Sequence, residues 1–172
     1  MAPNNSFKAL GATMKIAAAI ALLLASGVAC ADNYDVNVTR KDSNLYKVTG
    51  KDIFIVTRYC YEYVYSEDSV LRASGGSGKL IFLDAGKSCD VKAVYGASKI
   101  AAGTYKVTVS REEDDWYEAF GTGTYIKTSA CLSLALGEEA ILKIQAGGFG
   151  SLIFIEDEDN CMVEGVYEKL RL

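Results

Sequence analysis

The sequence predicts an all-β protein made of two similar small antiparallel units, each barrel- or sandwich-like and each closed by one disulfide. Three observations favour this fold: an internal repeat, a period-2 alternation of apolar and polar residues, and four cysteines in two matching pairs. We expect a cleaved signal peptide over 1–31, a first unit over 32–103 and a second unit over 104–172. A length of 172 residues with 23% charged residues is typical of a small globular protein.

The first 31 residues have the pattern of a secretory signal peptide. Lys15 precedes an apolar, alanine-rich run over 16–24, and small residues lead to an A-x-A pattern that ends at Ala31. The run is shorter than the roughly 20 apolar residues of a membrane span. We therefore expect cleavage after Ala31, a periplasmic or secreted chain, and no stable membrane span. The alternative, lipid modification of Cys30, fits less well, because Gly27 stands where lipoprotein signals usually carry leucine.

The remaining chain repeats itself once. Residues 34–74 align with 105–145 at a constant offset of 71, and after one inserted residue 75–95 align with 147–167. Of these 62 aligned positions, 21 are identical. A single gap over this length indicates a tandem duplication. The duplication also provides an internal comparison: a residue that the fold requires should recur in kind, whereas a residue with a separate function need not.

Each unit is predicted to consist of short strands. Residues 34–38 and 105–109 alternate polar and apolar side chains, with β-branched and aromatic residues among them. Further strands are expected at 45–48, 53–57, 59–65, 70–74, 79–84 and 89–95, with counterparts at 116–120, 124–128, 130–136, 141–145, 151–156 and 161–167. The glycine-rich segments 75–78 and 147–150 are typical of tight turns. A short helix over 138–144 is the alternative for that segment.

Four cysteines remain after signal removal, an even number typical of an exported protein. Cys60 and Cys89 are 29 residues apart, and Cys131 and Cys161 are 30 apart. The symmetry of the repeat leaves two natural pairings: within each unit, or Cys60 with Cys161 and Cys89 with Cys131. We favour pairing within units, which would close a loop in each small core. Neither pair has CxxC spacing, so we expect no metal site and no cofactor.

Four tyrosines, Tyr59, Tyr61, Tyr63 and Tyr65, share one face of a predicted strand. Such a row could bind glycans or aromatic ligands. In the second unit, leucines replace the last three of them, at 132, 134 and 136. This replacement favours a buried face, with the tyrosine hydroxyls at the rim of the core. A ligand platform is the alternative.

Acidic residues are concentrated in the second unit. Residues 33–103 contain ten basic and eight acidic residues, a net charge of +2, whereas 104–172 contain six basic and 13 acidic residues, a net charge of −7. The shared fold does not require this asymmetry. Two tracts carry most of the excess: Glu112, Glu113, Asp114 and Asp115, and then Glu156, Asp157, Glu158 and Asp159.

These tracts are candidate binding residues for a basic partner, or for divalent cations through carboxylate oxygens. Their spacing is not that of a known calcium loop, and we expect no metal site in them. Solvated turns that keep the protein soluble are the simpler alternative. Phe149 is a further candidate contact, because it stands at a loop tip where the first unit has Ser77.

The composition excludes several activities. The sequence contains no histidine, which rules out a Ser-His-Asp triad, a Cys-His dyad and His-ligated zinc. A net charge of −4 does not favour nucleic acid as a partner. Carboxylates occur together only in loop runs, and no serine lies in a G-x-S-x-G elbow. A carboxylate-dependent hydrolase is therefore the least favoured hypothesis.

We expect an exported, non-catalytic binding protein. The specific hypothesis is an inhibitor or immunity-type protein whose acidic second unit engages a basic protein partner. The alternative is an envelope structural or self-associating module, since halves of charge +2 and −7 could associate head to tail.

Overall fold

The computed structural model describes residues 31–113, 115–156 and 158–172, so the predicted signal peptide lies outside the described residues except for Ala31. The described residues form strands and no helix, and hence none that is long and apolar enough to cross a membrane. The all-β prediction is confirmed. The strands are β1 (Asp32–Asp42), β2 (Leu45–Val48), β3 (Ile53–Arg58), β4 (Glu67–Ser74), β5 (Ser77–Phe82), β6 (Lys87–Ala97), β7 (Gly103–Glu113), β8 (Trp116–Ala119), β9 (Thr124–Ser129), β10 (Leu136–Ile144), β11 (Gly150–Phe154) and β12 (Asn160–Leu170).

Strands β1 to β6 close into a six-stranded antiparallel barrel, the first barrel. Strands β1, β2 and β3 form one meander and β4, β5 and β6 form another. The barrel closes because β4 pairs with β1 and β6 pairs with β3. Successive strand residues point alternately in and out, so apolar side chains at alternate positions fill the interior. Fully buried residues of this interior include Val38, Tyr46, Ile55, Leu80 and Phe82.

Strands β7 to β12 repeat this topology as the second barrel. The agreement extends to the register of the strands: Arg40 is opposite Tyr46 across β1 and β2, and Arg111 is opposite Tyr117 across β7 and β8. Two barrels with one topology, in the same strand order along the chain, are the expected product of a tandem duplication.

One strand pairing and a cluster of aromatic rings join the two barrels. Strands β6 and β12 are antiparallel neighbours, with Tyr95 opposite Lys169 and Ala97 opposite Tyr167. Five buried rings pack between the barrels with centroids 4.6 to 5.5 Å apart: Phe54, Tyr95, Trp116, Tyr125 and Tyr167. Burial of these rings stabilises two units whose separate cores are small.

Two local predictions were wrong. Residues 59–65 and 130–135 are not strands, because they cross an end of their barrel and form isolated hydrogen bonds to a strand in place of a continuous ladder. The helix alternative for 138–144 is also wrong. That segment lies in β10, which pairs with β7 on one side and with β11 on the other, so its backbone bonds belong to the sheet.

The disulfides Cys60–Cys89 and Cys131–Cys161 confirm the pairing within units. Their Cα atoms are 5.6 and 5.1 Å apart, within the range that a disulfide requires. Cys89 lies in β6 and Cys161 in β12, whereas their partners lie in the connections that cross the barrel ends. Each disulfide therefore fastens a connection to the barrel wall.

Removing either disulfide should lower the free energy of unfolding by about 3–4 kcal/mol, because each closes a loop of similar length in the unfolded chain. The double variants Cys60→Ala/Cys89→Ala and Cys131→Ala/Cys161→Ala should lose similar amounts, as measured by urea unfolding. A loss below about 1 kcal/mol in either variant would contradict this account of the two bridges.

Candidate functional site

An extended connection crosses one end of each barrel, and we call these connections the first strap (59–66) and the second strap (130–136, which includes the first residue of β10). Alternate strap residues over 60–64 and 131–135 point towards the barrel, and all of them are buried except Glu62, which is half-buried. The buried ones are small or medium-sized: Cys60 and Val64 in the first strap, and Cys131, Ser133 and Ala135 in the second. The straps thus cover the barrel ends without adding large side chains to interiors that the strands already fill.

A buried tyrosine hydroxyl holds each strap from inside the barrel. The hydroxyl of Tyr46 donates a hydrogen bond of 2.8 Å to the carbonyl oxygen of Glu62, and that of Tyr117 donates one of 2.6 Å to the carbonyl oxygen of Ser133. Each hydroxyl also lies 3.1 Å from the cysteine sulfur of its strap. Burial raises the pKa of both tyrosines, because the phenolate would lose its hydration.

Backbone hydrogen bonds fix the straps further. The N–H of Arg40 donates to the carbonyl oxygen of Val64 at 3.0 Å, and the N–H of Arg111 donates to that of Ala135 at 2.8 Å. A strap held by a disulfide, a tyrosine hydroxyl and the neighbouring strand has little freedom to lose. Side chains on its outer face are therefore preorganised for binding.

Those outer faces carry large, exposed apolar side chains, so the prediction of a buried tyrosine face was wrong. The tyrosine row, Tyr59, Tyr61, Tyr63 and Tyr65, has side chains that are 79 to 89% exposed. The leucine row, Leu132, Leu134 and Leu136, is 78 to 88% exposed. The smaller residues between them face the interior instead. Contiguous exposed apolar side chains of this kind mark interaction surfaces.

The two acidic tracts lie beside the second strap. The tract over 112–115 covers the end of β7 and the turn to β8, and the tract over 156–159 lies in the turn between β11 and β12. The second strap begins after β9, whose last residue pairs with Met162 near the start of β12. It ends opposite Ser110 in β7. Each end of the strap therefore adjoins one tract.

Most of the described acidic residues of these tracts are exposed at the barrel end that the second strap crosses. Exposed acidic residues at this barrel end are Glu112, Glu113, Glu156, Glu158 and Asp159, and Asp115 is half-buried. Asp114 and Asp157 fall outside the described residues. Burial is the largest cause of the raised pKa of Tyr117; Arg111 opposes it, and the charges of Asp115 and Asp159 add to it. Carboxylates from both tracts therefore contribute to the raised pKa of this one hydroxyl beneath the strap.

Phe149 is exposed but lies apart from this surface. It stands in the turn between β10 and β11, and its side chain is 62% exposed. The end of β10 that leads into this turn pairs with the start of β7, with Ile144 opposite Gly103. The turn is therefore at the end of the second barrel away from the strap, and Phe149 does not join the acidic tracts.

A groove between the two barrels is a third candidate site, with a volume of about 430 Å³. Its charged lining consists of Lys41, Lys47, Lys127, Asp42, Glu113, Asp115 and Glu164, beside the rings of Phe54 and Trp116. Much of this charge is satisfied internally: Lys127 is ion-paired with Glu164, and Lys92 of the first barrel with Glu113 of the second. The sequence pattern of a single unit did not indicate this groove, because residues of both units line it.

The described part of the chain has no cluster of three or more Cys, Asp or Glu side chains that could hold a metal ion. Comparisons with protein families, with curated proteins and with solved structures found no match to this chain. Function is therefore inferred from the strap surfaces and the groove.

Replacing Tyr117 with phenylalanine should lower the free energy of unfolding by about 1–3 kcal/mol, because the carbonyl of buried Ser133 loses its short hydrogen bond of 2.6 Å and keeps only the longer one of 3.5 Å from Arg111. Tyr46→Phe should have the same effect in the first barrel. Tyr105→Phe is the matched control, because its hydroxyl donates to the carbonyl of Ala101 in an exposed position. Urea unfolding measures all three. Equal losses for Tyr117→Phe and Tyr105→Phe would contradict the role given to the strap hydroxyl.

Stability should fall at alkaline pH. Burial is the main cause that raises the pKa of Tyr167 to about 12, and it also raises the pKa of Tyr46, Tyr95, Tyr117 and Tyr125. An unfolded tyrosine titrates near pH 10. Since the folded pKa values are the higher ones, this stabilisation is complete below about pH 10 and is lost as the pH rises through them.

Urea unfolding at a series of pH values checks this expectation, with tyrosinate absorbance recorded on the same samples. The free energy of unfolding should decline from about pH 10 upward. A constant free energy of unfolding between about pH 9 and pH 12 would show that these tyrosines are not protected by the fold.

Proposed function

We propose that this is an exported, non-catalytic binding protein whose second strap engages a basic protein partner, in the manner of an inhibitor or immunity-type protein. The observation that carries this proposal is that the exposed leucine row and the two exposed acidic turns lie at the same end of the second barrel. An apolar centre within a polar rim is the usual anatomy of a protein interface. The rim is acidic, so the complementary rim is basic.

The difference between the two barrels supports a role for this charge. The strands and the strap anchors recur in both copies, but the acidic tracts occur only in the second. Residues 104–172 carry a net charge of −7, from six basic and 13 acidic residues. A rim of one sign accelerates association with a partner of the opposite sign and disfavours other partners.

Export is the second part of the proposal. Two disulfides are consistent with an oxidising compartment, such as the periplasm or the extracellular space. The signal-peptide pattern of residues 1–31 is the feature that would direct the chain to export. Mass spectrometry of the exported protein should find a chain that begins at Asp32.

The ion pairs of the groove favour binding over catalysis. Of its carboxylates, Glu113 and Glu164 are each held by a lysine, Lys92 and Lys127 respectively. A general acid or base needs a carboxylate that faces the substrate and exchanges a proton with it. A hydrolase that uses Glu113 or Glu164 is therefore the less favoured alternative.

The test is capture of basic proteins from the exported fraction of the source cells, with the oxidised protein as bait. The variant Glu112→Gln/Glu156→Gln/Glu158→Gln removes three rim charges. Asp32→Asn/Asp35→Asn/Glu168→Gln removes three exposed charges elsewhere and is the matched control. The rim variant should weaken binding about tenfold or more, and the control should bind as the wild type does.

Leu134→Ser should weaken the same complex without a change in net charge, because it removes the apolar centre of the surface. Equal capture by the wild type and the rim variant would contradict the proposal. Light scattering at low and high salt tests the alternative of self-association. If oligomers form at low salt and are absent from the rim variant, the partner of this surface is a second copy of the chain and not another protein.

A further inference from the structure

We infer that the tyrosine row of the first strap is a binding platform for a neutral, linear polysaccharide. The site lies on the first barrel, so it is separate from the surface that engages the proposed protein partner. Three properties of the row lead to this inference: its residue type, its linear geometry and its balanced charge.

The residue type is not required by the fold. Ala130 and the leucine row occupy the equivalent positions of the second strap, on the same extended backbone and with the same anchors. Each tyrosine of the row is at least 79% exposed, so none of them fills a core. The aromatic rings and their hydroxyls are therefore a property of the first barrel alone. Side chains with an aromatic face and a polar hydroxyl at the tip suit ligands that have an apolar side and a hydrated side.

The geometry of the row is linear. Outward residues of an extended chain recur about every 6–7 Å, so the rings of Tyr61, Tyr63 and Tyr65 span about 13 Å. Tyr59, whose φ is 51°, lies at the start of this extended segment. The Cys60–Cys89 disulfide and the hydrogen bonds to Glu62 and Val64 fix the backbone that carries them. The row runs over the outer surface of a barrel end, and none of its tyrosines lines the groove between the barrels. A raised linear platform suits a polymer, whereas small molecules bind in concave sites.

The first strap itself contains one charged side chain, Glu62, and an ion pair balances its charge. Lys87 forms an ion pair of 2.7 Å with Glu62, which lies between Tyr61 and Tyr63 in the strap. The guanidinium of Arg40 stacks over the ring of Tyr63, 5.2 Å from its centroid. The carboxylate of Glu67 accepts two backbone N–H groups of the turn between β5 and β6.

A platform with rings, hydroxyls and paired charges is complementary to a neutral ligand. Sugar rings offer C–H faces that stack on aromatic rings, and their hydroxyls can hydrogen-bond to the exposed tyrosine hydroxyls of the row. A nucleic acid binds through several basic residues along its path, whereas a single guanidinium, that of Arg40, lies over a ring of the row. A basic protein is complementary in charge to the acidic turns beside the second strap, and less so to the first strap.

The triple variant Tyr61→Leu/Tyr63→Leu/Tyr65→Leu tests the inference, because it installs the residues that the second strap carries at the same positions. The probes are insoluble cellulose and insoluble chitin, with phosphatidylcholine vesicles as an apolar surface of another kind. Wild-type protein should bind at least one of the two polysaccharides. The triple variant should raise the dissociation constant roughly 100-fold, since three stacking contacts are lost.

Two control variants show whether the loss of binding is specific to the tyrosine row. Leu132→Tyr/Leu134→Tyr/Leu136→Tyr leaves the first strap intact and should retain wild-type binding at the tyrosine row. Glu112→Gln/Glu156→Gln/Glu158→Gln, which tests the proposed protein interface, should bind polysaccharide as the wild type does. Failure of one proposal is thus distinguishable from failure of the other. Circular dichroism and a thiol assay show whether each variant is folded and oxidised.

If the triple variant does not fold, Tyr63→Leu alone should weaken binding about fivefold. Absence of wild-type binding to both polysaccharides would overturn the inference. Unchanged binding by a folded triple variant would also overturn it, because the ligand would then lie elsewhere. Binding to vesicles that depends on the tyrosine row, without binding to either polysaccharide, would identify a lipid surface instead.

Discussion

The anchoring of a strap across one end of each barrel is the constraint on which the rest of the structure depends. A tyrosine hydroxyl beneath the strap and a disulfide to the barrel wall hold it in the same place in both copies. Because the barrel interior is already filled, the strap directs its small residues inward and its large ones outward. The exposed rows of tyrosine and leucine are therefore a consequence of how the barrels close.

Duplication then allows the two exposed rows to differ. The strands, the anchors and the disulfides recur, and a cluster of aromatic rings holds the copies together. The fold does not constrain the side chains on the outer faces of the straps, and these side chains differ between the two copies in both shape and charge. One carries a neutral row of tyrosines and the other a leucine row within acidic turns. The two ligands that we propose correspond to this difference between the straps.

Much of the fold could be predicted from the sequence, because local pattern and the repeat contain the needed information. The alternation in β1 and β7 and the spacing of Cys60 and Cys89 led to strands and to the correct disulfides. The orientation of the straps could not be predicted, since alternation is the same whichever side faces inward. The small size of the inward residues, such as Ala135, was the sequence feature that could have indicated this orientation. The groove depends on packing between units, which no pattern within one unit specifies.

The central claim is that the first strap turns its tyrosines to solvent and keeps the anchoring tyrosine inside. Tyrosine nitration of the native, oxidised protein, read by peptide mass spectrometry, tests this claim most directly. The account predicts rapid modification of Tyr59, Tyr61, Tyr63 and Tyr65, and protection of Tyr46 and Tyr117 until the protein unfolds. Protection of the four strap tyrosines, or rapid nitration of Tyr46 in the native state, would contradict it.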